Sequence, residues 1–191
     1  MKKQKIFAIS IVTIMVALVV GGTSAFFTYS DKAHNVITTS GVAIELIEDT
    51  EDVGGDGRPI PFTDIEGAMP GDKISKIPKI KNVDDGDVYV RMKVVASVSH
   101  VDGIAYKISL DTFELDLSRS WGRKDNDGYF YYMRTLHAGE TTTPLFTTVT
   151  IPSNLGDRYQ HSKFALQIRG EAVQAANNGT GPLDAEGWPE G

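Results

Sequence analysis

Hydrophobic and polar residues alternate along 87–99. Val88, Val90, Met92, Val94, Ala96 and Val98 take the even positions, while Tyr89, Arg91, Lys93, Ser97 and Ser99 take most of the odd ones. A period of two with one polar face predicts a β-strand. Residues 163–173 repeat the pattern, with Phe164, Leu166, Ile168 and Ala172 on one side and Lys163, Gln167, Arg169 and Glu171 on the other. Both strands are expected at the centre of a sandwich. Shorter runs of the same kind lie at 42–47, 105–110, 112–117, 129–136 and 144–151. Turn clusters such as Asp84-Asp85-Gly86, Asp102-Gly103, Asp127-Gly128 and Asn154-Leu155-Gly156 fall between them.

Strands at this spacing, with no long helical pattern between them, predict an all-β chain: an antiparallel β-sandwich of jelly-roll type with short helices in loops. Residues 48–71 are rich in glycine, proline and acids and read as a long loop, with a short helix near 62–67. In 73–81 isoleucine and lysine each recur every third residue, and Pro78 forbids a regular helix interior, so that piece is expected to be extended at a sheet edge. The polar, Gly/Pro-rich residues 177–191 read as a flexible C-terminal tail.

Composition narrows the chemistry. The 191 residues carry a net charge of −6 and contain no cysteine. Without thiols there is no structural disulfide, Cys-ligated zinc, iron–sulfur cluster or cysteine nucleophile. The acidic balance argues against nucleic acid as a partner, since neutralising phosphates takes a basic face.

The N-terminus reads as a secretory signal peptide over 1–25. Lys2, Lys3 and Lys5 precede the uncharged apolar run 6–22, and Thr23-Ser24-Ala25 offers small residues for cleavage before Phe26. The alternative is a permanent anchor, but the run holds Ser10 and Thr13, ends in Gly21-Gly22 and falls short of the ~20 apolar residues of a typical span. Cleavage would leave a β-sandwich domain at 26–176, secreted and extracellular. The lack of disulfides in an exported chain fits a bacterium with a single membrane.

Sites of familiar chemistry do not emerge. His34, His100, His137 and His161 are scattered, and there is no HExxH helix. No serine sits in a GxSxG elbow, and no glycine-rich nucleotide loop opens a helix. Asp125-Asn126-Asp127-Gly128 resembles the middle of a calcium loop, but Arg134 stands where the closing glutamate belongs, so a hairpin turn explains it better. Asp49, Glu51, Asp52 and Asp56 make a looser candidate for calcium against a solvated acidic loop. Asn178-Gly179-Thr180 fits a glycosylation sequon, a common chance match. Tyr129, Phe130, Tyr131 and Tyr132 fall on both faces of one strand after Trp121, reading as core on one side and a wet aromatic strip on the other; a glycan-binding platform is the functional alternative. No catalytic residue, metal site or cofactor is assigned.

The start of the mature chain is different. Phe26, Phe27, Thr28 and Tyr29 form a β-prone, apolar end that a monomer should not leave in water. Either it pairs within its own sandwich or it adds to a neighbour's sheet as a donor strand, with 26–35 as the donor segment. Burying three aromatics is worth about 1.5–3 kcal/mol each. Association costs about 4–15 kcal/mol, so ladder hydrogen bonds would have to tip the balance. Such head-to-tail contacts do not close and would build a filament.

Several stretches resemble the TasA/camelysin family. They are Gly21-Gly22-Thr23-Ser24-Ala25 running into Phe26-Phe27-Thr28, Gly41-Val42-Ala43-Ile44-Glu45-Leu46, and Met69-Pro70-Gly71-Asp72 followed by Tyr89-Val90-Arg91. Leu136-His137-Ala138-Gly139-Glu140-Thr141-Thr142, Pro144-Leu145-Phe146 and Glu171-Ala172-Val173-Gln174-Ala175 complete the set. The resemblance implies a jelly-roll subunit exported by a Gram-positive bacterium, cut after Ala25 by a SipW-type signal peptidase. It would then self-associate into biofilm-matrix fibres through a donor strand beginning Phe26, Phe27, Thr28 and Tyr29, with other biofilm-matrix proteins as further partners. Camelysin-like members are described as secreted metalloproteases, for which this chain shows no zinc motif. A monomeric surface adhesin is the third reading.

Overall fold

A computed structural model describes residues 27–29, 36–39, 41–63, 65–99, 104–124, 127–155, 159 and 162–189. Fourteen strands account for nearly all of the regular structure there. They are β1 (Phe27–Tyr29), β2 (Val36–Thr39), β3 (Val42–Val53), β4 (Pro59–Pro61), β5 (Ile65–Ala68), β6 (Lys73–Ser75) and β7 (Ile77–Asn82). After these come β8 (Val88–Ser99), β9 (Ala105–Lys107), β10 (Glu114–Leu115), β11 (Trp121–Arg123), β12 (Tyr129–Tyr132), β13 (Thr148–Thr150) and β14 (Lys163–Gln174). The chain is all-β, as its alternation predicts. Among the described residues there is no α-helix; a 3-10 turn lies at Leu110–Thr112, which Ser109 caps by accepting from the Asp111 N–H, and Tyr159 is also in 3-10 conformation.

The first sheet runs β11-β12-β8-β14-β1-β5, with β9 also beside β8. A second has β3 at its centre, β2 and β4 on one side and β7 on the other. A short third sheet, β10-β13-β6, continues the second, since only Lys76 separates β6 from β7. All strand pairs are antiparallel except β1 with β14, which are parallel. β14 and β8 match in unbroken register from Lys163↔Ser99 to Gln174↔Val88.

Alternation puts the apolar parity of each long strand into one core. Val90, Met92, Val98, Phe164 and Leu166 from the first sheet meet Val42, Ile44, Leu46 and Ile80 from the second. The sheets approach closely at Gly170, where an added Cβ would lie 3.1 Å from Ile80 Cδ1 and 3.5 Å from Ile44 Cδ1. A side chain at 170 would require Ile80 to give by a few tenths of an ångström.

Two expectations need correction. Residues 48–71 are not a long loop: β3 continues to Val53, turns at 54–58 with the Gly54 N–H donating to the Arg58 carbonyl at 2.8 Å, and returns as β4. In place of a helix near 62–67 comes strand β5. The acids that suggested a solvated loop are compatible with a strand because Lys79, across the ladder, pairs with Asp49 at 2.7 Å. Residues 73–81 are extended at sheet edges, as expected, in β6 and β7, and a non-strand segment covers the outer side of β7. N–H groups of Asn82 and Lys76 donate to carbonyls of Glu140 and Thr147, and those of Thr142 and Leu145 donate to Ile80 and Pro78. Pro78 is tolerated there because its nitrogen, which has no N–H to donate, lies with its carbonyl on the side away from β3, where the carbonyl takes the bond from Leu145.

Candidate assembly site

The expected donor residues Phe27, Thr28 and Tyr29 form β1, inserted between β14 and β5. Thr28 is opposite Lys163 and Tyr29 opposite Phe164 in parallel register; on the other side Phe27 faces Ala68 and Tyr29 faces Ile65, with a bulge between. β1 therefore pairs within its own chain. Among the described residues β5 has no other strand neighbour, so β1 alone links it to the sheet. Thr23, Ala25 and Phe26, the signal peptide at 1–25 and the rest of the donor segment at 30–35 lie outside the described residues.

The wall that receives β1 is firmly set. Phe164 is fully buried and meets the Phe113 ring edge-on at 5.7 Å, with Tyr159 tilted against it at 5.7 Å. After β5, the Met69-Pro70-Gly71-Asp72 turn closes with the Asp72 N–H donating to the Met69 carbonyl at 3.0 Å. Pro70 sits at the position of fixed φ and Gly71 adopts φ +93°, as a type II turn requires. The Asp72 carboxylate accepts from the Met69 N–H at 2.7 Å, and the Gly71 N–H donates to Ile151, anchoring the turn to the other layer.

On the outer face of the first sheet lies a buried polar cluster that sequence reasoning did not foresee. Arg91 and Glu171 are opposite each other in the β8–β14 register. The guanidinium gives Nε and Nη2 to Glu171 Oε2 at 2.8 and 2.7 Å, and Nη1 to the Tyr131 hydroxyl at 3.1 Å. The Tyr129 hydroxyl and Arg169 reach Glu171 Oε1 at 3.1 and 3.0 Å. Tyr131 in turn donates to Asp127 at 2.6 Å. Burial, then the bond to Asp127, pushes the Tyr131 phenol above its usual value; burial and the Glu171 charge do the same for Tyr129.

The tail roofs this cluster, contrary to the expectation of a loose segment. The Trp188 ring lies 4.6 Å from the Arg91 guanidinium and meets Tyr131 edge-on at 5.6 Å, while the Pro189 carbonyl accepts from Arg91 Nη2 at 3.3 Å. Asn178 braces the turn by accepting from the Glu186 N–H at 2.8 Å and donating to the Gln174 and Glu186 carbonyls. Consequently Tyr129, Phe130, Tyr131 and Tyr132 are all buried, and the expected wet aromatic strip does not exist. Trp121 is buried as well, with its indole N–H on the Thr143 carbonyl at 3.1 Å, so Trp121 and Tyr131 present no open platform to a glycan.

The acidic candidates separate. Asp49 binds Lys79 and Asp56 lies 3.9 Å from Arg58; among the described residues no three His, Asp or Glu side chains gather as a metal-holding group. Asp84 and Asp116 act as local caps. Asp84 accepts from the Ala43, Gly86 and Asp85 N–H groups and is held below the usual carboxylate range. Burial would raise Asp116, but bonds from the Thr147 hydroxyl and the Thr148 and Thr147 N–H groups outweigh it and lower its value. His137 Nδ1 lies 3.0 Å from Asp87, which raises the imidazole. A further pair missed in the sequence, Glu48 with Lys76, is buried in the core. The overlooked signal is parity. Glu48 continues the inward stripe Val42, Ile44, Leu46, and Lys76 lies between inward Ile74 and Pro78.

Comparison with models of known families, with curated proteins and with solved structures returned no match.

Proposed function

We propose that this chain is a secreted, non-enzymatic structural subunit with a jelly-roll sandwich, which polymerises into extracellular fibres by exchanging its N-terminal strand once the signal peptide is removed. One observation carries the reading: β1 is a short end segment slotted between two strands that pair with nothing else on that side among the described residues. A ladder of this kind reads backbone N–H and C=O groups, so the strand of another copy can make the same bonds. The exchange conserves the slot's hydrogen bonds and changes only which chain supplies them. The resemblance to the TasA/camelysin family adds the biofilm setting and the SipW-type peptidase.

The absence of cysteine makes the test clean. Thr28→Cys combined with Lys163→Cys places thiols at a matched register pair. Fibres oxidised and run on a non-reducing gel are expected to give ladders of linked chains, whereas free monomer gives internally bridged single chains. Single chains from genuine fibres, or equal filament formation by chains starting at Phe26 and chains lacking 26–30, would overturn the reading.

A further inference from the structure

The core holds a lysine and a glutamate side chain with almost no exposed surface. Lys76 has a side-chain exposure of 0% and Glu48 of 3%, and the ammonium is bonded to Glu48 Oε2. The Phe62 ring lies 4.0 Å from Lys76 Nζ. Backbone bonds fix both ends: the Phe62 N–H donates to the Glu48 carbonyl at 2.8 Å, and the Lys76 N–H to the Thr147 carbonyl at 3.0 Å. Lys79, three residues on and on the opposite face, shows the ordinary alternative: its ion pair with Asp49 is only partly buried. Two opposite charges withdrawn completely from water are a poor source of stability, since desolvation consumes most of their attraction.

We propose that Lys76 and Glu48 form an intramolecular isopeptide crosslink, a covalent tie between β3 and the β6–β7 junction in a chain that has no cysteine for a disulfide. Proton transfer from the ammonium to the carboxylate gives an amine and a carboxylic acid, the neutral couple that an apolar site accommodates. The amine nitrogen attacks Glu48 Cδ and forms the C–N bond. The tetrahedral carbon then expels its hydroxyl, which takes a proton from nitrogen and leaves as water. One C–O bond breaks, one C–N bond forms, nothing is oxidised or reduced, and no outside reagent is required. Held reactants of this kind reach effective concentrations on the order of 10⁵–10⁸ M, and the dry surroundings oppose the reverse hydrolysis. This crosslink stands independently of assembly.

Mass spectrometry of the purified, folded full chain tests it under denaturing conditions. The expected mass is lower than the encoded one by one water. Trypsin, which cuts after arginine and after lysine only where the lysine amine is free, is expected to leave 76–77 intact and to release the peptide carrying Glu48 joined to the one carrying Lys76. Lys76→Arg and Glu48→Leu are each expected to restore the full mass. Folded wild-type protein at full mass, with Lys76 cleaved normally, overturns the proposal. So does a water loss that persists in Lys76→Arg, because succinimide formation at an Asp-Gly pair such as Asp56-Gly57 would account for it. The linked peptide from wild-type protein is decisive even if the variants do not fold.

Discussion

The two edges of β14 are built differently. On one, β8 pairs along the whole strand, from Lys163↔Ser99 to Gln174↔Val88, and the outer face of that pair is riveted by Arg91–Glu171 under the tail. On the other, β1 adds three residues in parallel register at one end. The first edge joins long strands distant in sequence, and its side chains are locked on both faces. The second depends on a few ladder bonds to a three-residue strand. The proposed exchange would draw on the second edge alone and leave the core's first edge in place.

The largest break in this comparison is expected from Phe164→Ala, since Phe164 belongs to both edges: it lies opposite Val98 on one and Tyr29 on the other, and it packs on Phe113. The loss should be about 3–5 kcal/mol, read as a lower urea midpoint with unchanged slope, and assembly should fail with it. Thr28→Pro sharpens the contrast. It removes an N–H from a strand with neighbours on both sides and should cost about 1–3 kcal/mol, yet abolish fibres seen by electron microscopy; normal fibres would show that the β1 ladder is dispensable. The smallest effect is that of pH at His137, beyond both edges. Its folded value is raised by Asp87, so its contribution is complete below the ordinary histidine value of about 6.5 and is lost as pH rises through the folded value. Melting temperature should fall slightly across that window in wild type, and the fall should shrink in His137→Gln.

How much of this was readable in advance depended on range. Strands β8 and β14 were legible because alternation is a local signal and both are long. Residues 48–71 were misread because glycine, proline and acids suggest a loop in isolation, whereas Lys79 neutralises Asp49 and β7 supplies the ladder from further along the chain. The extended character of 73–81 is legible, but its threefold repeat of isoleucine and lysine masks the twofold parity that sends Lys76 inward. The tail was misjudged because nothing near Trp188 announces that Arg91, nearly a hundred residues earlier, will be its partner.

The amino-acid sequence by itself determined the class of fold, the absence of thiol chemistry and the apolar, β-prone character of Phe27, Thr28 and Tyr29, because periodicity, composition and propensity are properties of neighbouring residues. Only the tertiary structure decided where that segment sits, which charges are buried and what covers the aromatic face. Those outcomes depend on which strands become neighbours, and strand pairing is settled by the burial of the whole core rather than by any one stretch of it.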